Sequence, residues 1–496
     1  MVAGVVWGGM PPPLARPPFG RYLSSPSLLH HRGVSYEPRQ DCSHDCLVDR
    51  HRRKTASSSH AAVVLLSETF DTDTTSRAET VATYPNLNWT GAGDPVVTGG
   101  VVQLPIAASG ALTQTGFSGD LVVSLKVGSD PGGGSANFGL QSGVNRLVFH
   151  PGHSGGAFRV DGAGGFGNVS MGFTPAGGGV LHQMKVLVRA DTGQHIINVI
   201  DGNNPNNLFV TSFTNPAYSP GTDTFGMTRG GSAYTGNFDD LVIERAADGA
   251  WNQVVQESHP LHWYRLDEVR VGGAAAPTTA VDYGSGGLDG TYTGGAEAGQ
   301  GRLTPLGVGV EFNTTRAIQL GGASLGSDTS WTAEFVLEKT ATRAAAHLLD
   351  SDPYSLSLRL EQWQNTGELG YTHSGVADYL FSPAVSAPID EFVHVAFVGI
   401  PGTGVSLYLD GELAGTNPNF IELPRGTIGG SIDAILDEVV LYNYALSPFD
   451  IRKHAVAFTS GVIIPEPCTA ILLCLGGVLM VAWRLPRRGG LTRHRS

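Results

Sequence analysis

The chain has 496 residues, 68 of them glycine, with 15% charged residues and a formal net charge of −13 at pH 7. So much glycine with so little charge excludes a coiled coil or a protein of long helices, and the length leaves room for two or three domains. Residues 61–483 hold 18 Lys and Arg against 40 Asp and Glu, a balance of −22 that argues against nucleic acid as a partner, while both ends of the chain are basic. The cysteines are Cys42, Cys46, Cys468 and Cys474, so the body between the ends must stand on core burial without disulfides.

Residues 1–60 are rich in Pro, Ser, Arg and His, show no periodicity, and read as a disordered or misassigned leader. Arg50 to Lys54 followed by Ala61 to Leu66 comes nearest to an export signal, but its apolar run is short. Cys42-Ser-His44-Asp-Cys46 lacks the second half that a zinc site requires.

From residue 67 to 244, runs of four to eight strand-forming residues alternate with Gly, Asn, Asp and Pro, which predicts an antiparallel sandwich or jelly roll. After a link over Ala246–Gly249, a second such block spans 251–455. The two blocks share an order of elements. The first has Leu181 to Arg189, a Gly turn, Ile196 to Gly202, and a closing strand Phe238-Asp239-Asp240-Leu-Val-Ile-Glu244. The second has Phe392 to Val398, a Pro-Gly-Thr-Gly turn, Ser406 to Gly411, and a closing strand Leu436-Asp437-Glu438-Val-Val-Leu-Tyr442. In each, Asp-Gly after an alternating strand is a hairpin signal, because the turn needs positive φ.

The tail, 464–496, has its own logic. Pro465-Glu466-Pro467 precedes an uncharged apolar run, 468–483, and then Arg484, Arg487, Arg488, Arg493 and Arg495. Sixteen helical residues span ~24 Å against a hydrocarbon core of ~30 Å, which predicts a short transmembrane helix with its arginine end inside.

Two resemblances rest on these residues. The order Pro465-Glu466-Pro467, apolar helix and arginine cluster resembles the PEP-CTERM sorting signal of exopolysaccharide-producing Gram-negative bacteria. That resemblance implies an exosortase-type protease as partner, export, and membrane anchoring followed by delivery to the cell surface or matrix. His262-Trp-Tyr-Arg-Leu-Asp-Glu268, Gly290-Thr-Tyr-Thr-Gly294, Trp331-Thr-Ala-Glu-Phe-Val-Leu337, Leu407-Tyr-Leu-Asp-Gly-Glu-Leu413 and Leu436 to Leu446 together resemble a laminin-G-like, concanavalin-type jelly roll. Residues 67–244 resemble it more faintly, through the matched closing strands. The implied fold is all-β: two tandem jelly rolls plus one C-terminal transmembrane helix, in domains that bind glycans or proteins or act as spacers.

Three constellations are candidates for chemistry. The strand-end carboxylates Asp239 and Asp437, with Glu68 and Asp267 brought alongside by the first strands, offer hard oxygen ligands for calcium; the alternative is solvated turn carboxylates or caps on backbone N–H groups. In Tyr354 to Trp363, Leu356, Leu358 and Leu360 alternate with Arg359, Glu361 and Trp363, which sets a tryptophan on the polar face; with Tyr371 and Tyr379 nearby, this edge is the candidate glycan site, the alternative being an aromatic that closes the sandwich. Gly152-His153-Ser154-Gly155-Gly156 matches G-x-S-x-G, but Ala157 to Asp161 reads as a strand where a nucleophile elbow needs a helix. No alternating carboxylates of a glycosidase are present. The sequence therefore predicts a non-catalytic cell-surface or matrix protein that binds exopolysaccharide or a surface protein, with a glycan-processing enzyme or a structural spacer as the alternatives.

Overall fold

The computed structural model describes residues 64–464 apart from the short segments 91–93, 106–108, 130–137, 151–155, 175–178, 230–234, 296–302 and 365–366. The Cys42–Cys46 segment, His153, Ser154, Pro465, Glu466, Pro467, the 468–483 run and Arg484, Arg487 and Arg488 lie outside the described residues. Among the described residues no helix is long and apolar enough to cross a membrane.

Two pairs of antiparallel sheets carry the fold. In the N-terminal pair, one sheet runs Leu208–Thr214, Gln194–Ile200, His182–Val188, Leu121–Ser129, Gly236–Arg245, Val101–Leu104 and Val96–Thr98, with Val64–Glu68 also paired to Gly236–Arg245. The facing sheet runs Val169–Ser170, Ala157–Asp161, Asn145–His150, Phe138–Ser142, Phe225–Arg229, Ser109–Leu112 and Leu87–Thr90. Alternation decides what faces inward: Leu121, Val123, Leu125 and Val127 are fully enclosed in the shared core with Leu140, Leu147, Phe149 and Phe225.

The C-terminal pair repeats the plan. Its first sheet runs His262–Tyr264, Ala434–Tyr442, Trp331–Lys339, Phe392–Ile400, Gly404–Leu409 and Glu412–Asn417, with Val310–Phe312 on Ala434–Tyr442. The second runs Thr279–Ala280, Gly290–Thr293, Ala317–Gly322, Arg425–Gly429, Ala346–Asp350, Leu356–Glu361, Gly370–His373 and Ala377–Leu380. Between them lies a core that includes Tyr264, Trp331, Phe335, Leu349, Leu358, Tyr371, Phe397 and Leu436. The two Asp-Gly signals differ in outcome. Asp410 and Gly411 form a two-residue turn with φ of 48° and 82°. Asp201-Gly202 instead opens a loop to Leu208, because the Asp201 carboxylate accepts from Asn203 N at 3.1 Å and Asn207 Nδ2 at 3.0 Å.

Three helices complete the described chain: α1 (Arg77–Thr83), α2 (Asp248–Glu257) and α3 (Pro448–Ser460). The α3 helix is locally dictated: Ser447 caps it in a box with Asp450, Pro448 opens the first turn, and Gly461 ends it at φ 61°. Its buried stripe, Ile451, His454, Ala455 and Phe458, has helical spacing, as do Trp251, Val254 and Val255 on α2. Both helices cover the outer face of the Trp331–Lys339 sheet, where Val336, Ala396, Val440 and Tyr442 meet Trp251, Ile451 and Phe458. The segment Ala246–Gly249 is thus partly the start of a helix and not only a link.

The sandwiches are docked. Leu187, Ile196 and Val210 on the outer face of the N-terminal sheet pack against Val269 and Val308. At the edge, Ser212 N donates to Arg270 O and Gly272 N donates to Ser212 O, each at 3.0 Å, so Val271 adds a short parallel bridge to the Leu208–Thr214 strand. The helices and this interface thus cover one outer face of each sandwich.

Candidate functional site

The outer face of the Leu356–Glu361 sheet carries a continuous polar row. Cross-strand register aligns Thr291, Gln319, Thr427, Asp350, Ser357, Thr372 and Asp378 across seven strands. Their neighbours Ile318, Ile428, Leu349, Leu358 and Tyr371 alternate into the core.

At the end of this row a groove of about 370 Å³ opens between Tyr354, Arg359, Trp363, Thr372, His373 and Asp378. Trp363 is 56% exposed and Tyr354 47% exposed, whereas Arg359 is only 4% exposed. The Arg359 guanidinium donates from Nε to Thr372 Oγ1 at 2.8 Å and from Nη2 to Tyr354 OH at 2.6 Å. Its Nη1 is buried with no hydrogen-bond partner among the described residues. Thr372 Oγ1 in turn lies 2.7 Å from Asp378 Oδ1, and the Tyr354 ring stacks on His347 with centroids 5.5 Å apart. His347 Nδ1 is 2.7 Å from Asp350 Oδ2. Burial raises the Tyr354 pKa, partly countered by the Arg359 charge, so the hydroxyl is protonated and able to donate.

Of the five residues expected at a glycan site, the structure brings Trp363 and Arg359 together and places the others elsewhere. Glu361 is fully buried, 2.7 Å from Lys339 Nζ, and accepts from the backbone N–H groups of Arg343 and Gly367. Tyr371 stands opposite Leu358, an inward position, and therefore lies in the core; Tyr379 stacks on it at 4.9 Å. The residues that sequence reading missed are Tyr354, Thr372 and Asp378. The signal was there for Thr372: once Tyr371 faces inward, its neighbour must face outward.

The strand-end carboxylates are more widely scattered. Glu68 sits opposite Leu241 with its carboxylate 3.4 Å from Asn86 Nδ2, and Asp239 lies 3.5 Å from Lys126 Nζ. Asp267 accepts from Arg189 at 2.7 Å and Arg265 at 3.2 Å, and both arginines also pair with Asp248. Asp437 accepts from the Thr304 hydroxyl, and its neighbour Glu438 accepts from Trp263 Nε1 at 2.6 Å. Burial, with Asp248 and Asp267 nearby, pushes Asp437 up to about 7, and burial together with the Asp437 charge raises Glu438 well above the usual carboxylate range. Among the described residues no three His, Cys, Asp or Glu side chains gather as a metal site.

A second buried cluster joins the helices to the sheet. Glu334 Oε2 is 2.9 Å from His454 Nδ1, Glu334 Oε1 is 3.1 Å from His394 Nε2, and His454 Nε2 reaches Ser258 Oγ at 2.9 Å. Trp251 stands edge-on to both imidazoles.

This fold and site can be set beside known proteins. Residues 312–452 match the Laminin_G_3 family model, described as the concanavalin A-like lectin/glucanases superfamily. Those residues form a concanavalin A-like lectin/glucanase domain. The whole groove lies inside this concanavalin A-like domain. No curated protein matches the chain. Solved structures similar to it include domain 4 of AbnA, a GH43 extracellular arabinanase from Geobacillus stearothermophilus, in complex with arabinotriose (19% identity, TM-score 0.31, covering 40% of this chain and 98% of that one). The binding domain of Paraclostridial Mosquitocidal Protein 1 is 10% identical with TM-score 0.29, covering 41% of this chain and 53% of that one. Trypanosoma rangeli sialidase in complex with sialic acid is also 10% identical with TM-score 0.29, covering 77% of this chain and 63% of that one. None of the three superposes closely enough to bear on what this chain binds.

Proposed function

We propose that the protein is a non-catalytic surface or matrix binding protein that holds a saccharide in the Trp363 groove of its concanavalin A-like domain. The observation that carries this reading is a solvent-exposed Trp363 beside a buried Arg359 with an unused donor, in a groove of about 370 Å³. An exposed indole offers an apolar face to the C–H side of a pyranose, and Arg359, Tyr354 and Asp378 supply a donor corner and an acceptor for ring hydroxyls. Among the described residues the groove lining includes a single carboxylate, Asp378. Glycoside hydrolysis of the usual kind needs two, which favours binding over turnover.

The same reading carries the sorting tail. Pro465-Glu466-Pro467, the 468–483 run and Arg484, Arg487 and Arg488 support export, processing by an exosortase-type protease, and display in a polysaccharide layer. Intact-mass measurement of protein isolated from the cell envelope tests this: a mature C-terminus near Pro465 supports it, and an intact tail on all of the protein overturns it.

For the groove, a glycan array probed with the full chain in detergent is the direct test. Binding that falls at least about tenfold in Trp363→Ala, or ~1.4 kcal/mol, supports the assignment. Equal binding by the variant, or no binding by folded wild-type protein, overturns it.

A further inference from the structure

We infer that the groove selects an acidic saccharide, one bearing a uronate-type carboxylate, and that Arg359 with Tyr354 reads that carboxylate; this rests on the saccharide reading above. An arginine that is 4% exposed is ordinarily paired with a carboxylate, because removing its charge from water is costly. Among the described residues Arg359 has no ion pair. Its two internal hydrogen bonds go to uncharged hydroxyls, those of Thr372 and Tyr354, and Nη1 has none.

Neither neighbouring carboxylate, Asp350 nor Asp378, forms an ion pair with this cation. Asp350 is held by His347 at 2.7 Å, and His347 stands opposite Arg359 in register with its ring against Tyr354. Asp378 reaches Arg359 only through Thr372, whose Oγ1 lies 2.7 Å from Asp378 Oδ1 and 2.8 Å from Arg359 Nε.

The hydrogen-bond inventory of the groove is therefore polarised. Tyr354 OH accepts from Arg359 Nη2 and so has its own proton to give, while the enclosed guanidinium behind it keeps a charge and an Nη1 donor that no described side chain uses. A hydroxyl donor backed by an unpaired cation suits a carboxylate better than a hydroxyl, since a carboxylate accepts, donates nothing and brings the countercharge. In the same groove Asp378 is an acceptor for the hydroxyls that a uronic acid keeps. Trp363 lies along the same groove as the stacking surface. General attraction for polyanions has no part in this, since the chain carries a net charge of −13.

The test titrates the full chain with oligogalacturonates, oligoglucuronates and oligomannuronates, each beside its carboxyl-reduced counterpart and a sulfated neutral glycan. At least one uronate binds ten-fold or more tightly than its reduced form and than the sulfated probe. Tyr354→Phe, at an exposed position, shrinks that ratio several-fold while keeping the fold, Arg359→Gln abolishes it, and Trp363→Ala weakens acidic and reduced forms alike. Reduced oligosaccharides that bind as tightly as the uronates overturn the acidic specificity and leave the saccharide site standing. A sulfated probe that binds best overturns it in favour of sulfate. Failure of every glycan to bind folded protein overturns both readings.

Discussion

His454 Nδ1 lies 2.9 Å from Glu334 Oε2, joining helix α3 to the sheet beneath it where neither side chain touches solvent. Burial works to raise the Glu334 pKa, but the charges and hydrogen bonds of His454 and His394 outweigh it and hold the carboxyl at about 2. A carboxyl depressed in this way contributes stability that is fully present above its unfolded value, near 4.5, and is lost as pH falls through about 2. Glu334→Ala leaves two imidazoles facing an empty buried site and costs about 3–5 kcal/mol, read as a fall in the urea midpoint at neutral pH. A loss below about 1 kcal/mol contradicts the role assigned to this cluster.

Asp437 has the opposite sign. Its folded pKa, raised to about 7 from 3.8, makes the neutral acid the form that suits the site. Its contribution is therefore complete below about pH 4 and is lost as pH rises through about 7. Asp437→Asn keeps an acceptor for Thr304 without the charge, so the variant is more stable than wild type at about pH 8 and loses the advantage near pH 4. Denaturation midpoints of the two proteins across that range make the comparison, and parallel curves contradict it.

Lys339 and Glu361, 2.7 Å apart and 2% and 0% exposed, form a buried pair outside the groove. Removing one partner strands the other charge: Glu361→Gln destabilises by about 3–5 kcal/mol, whereas Lys339→Met with Glu361→Gln together costs less than the sum of the single changes. Because Glu361 does not line the groove, the folded fraction of Glu361→Gln binds saccharide as wild type does. A weakened dissociation constant with an intact fold contradicts the placement of the site.

Arg189 reaches from the N-terminal sandwich to Asp248 and Asp267 at 3.4 and 2.7 Å. Arg189→Met leaves those carboxylates with Arg265 alone and lowers stability by about 3–5 kcal/mol. Hydrogen exchange locates the effect: amides at Arg270–Gly272, which bridge to the Ser212 strand, lose protection first.

The sequence by itself determined the material of this fold. Alternation in Leu121 to Val127 and in Leu356 to Leu360, with glycine-rich turns between, specifies half-buried antiparallel strands, because side chains two residues apart must share a face. It also determined that Trp363 and Arg359 stand apart from the core residues Leu358 and Leu360. Only the tertiary structure decided the rest. Whether Tyr371 faces in or out depends on its register opposite Leu358, and a one-residue change of register would reverse it. Glu361 left the outer face for a buried lysine that lies 22 residues earlier in the chain, and Asp267 and Asp437 meet arginine and threonine partners that no local pattern announces. Asp378 enters the groove because the hairpin Gly370–His373 and Ala377–Leu380 folds it back beside Thr372. Periodicity is a property of neighbours along the chain, and hydrogen-bond partners are a property of distance in space; the strands could be read from the first and the site only from the second.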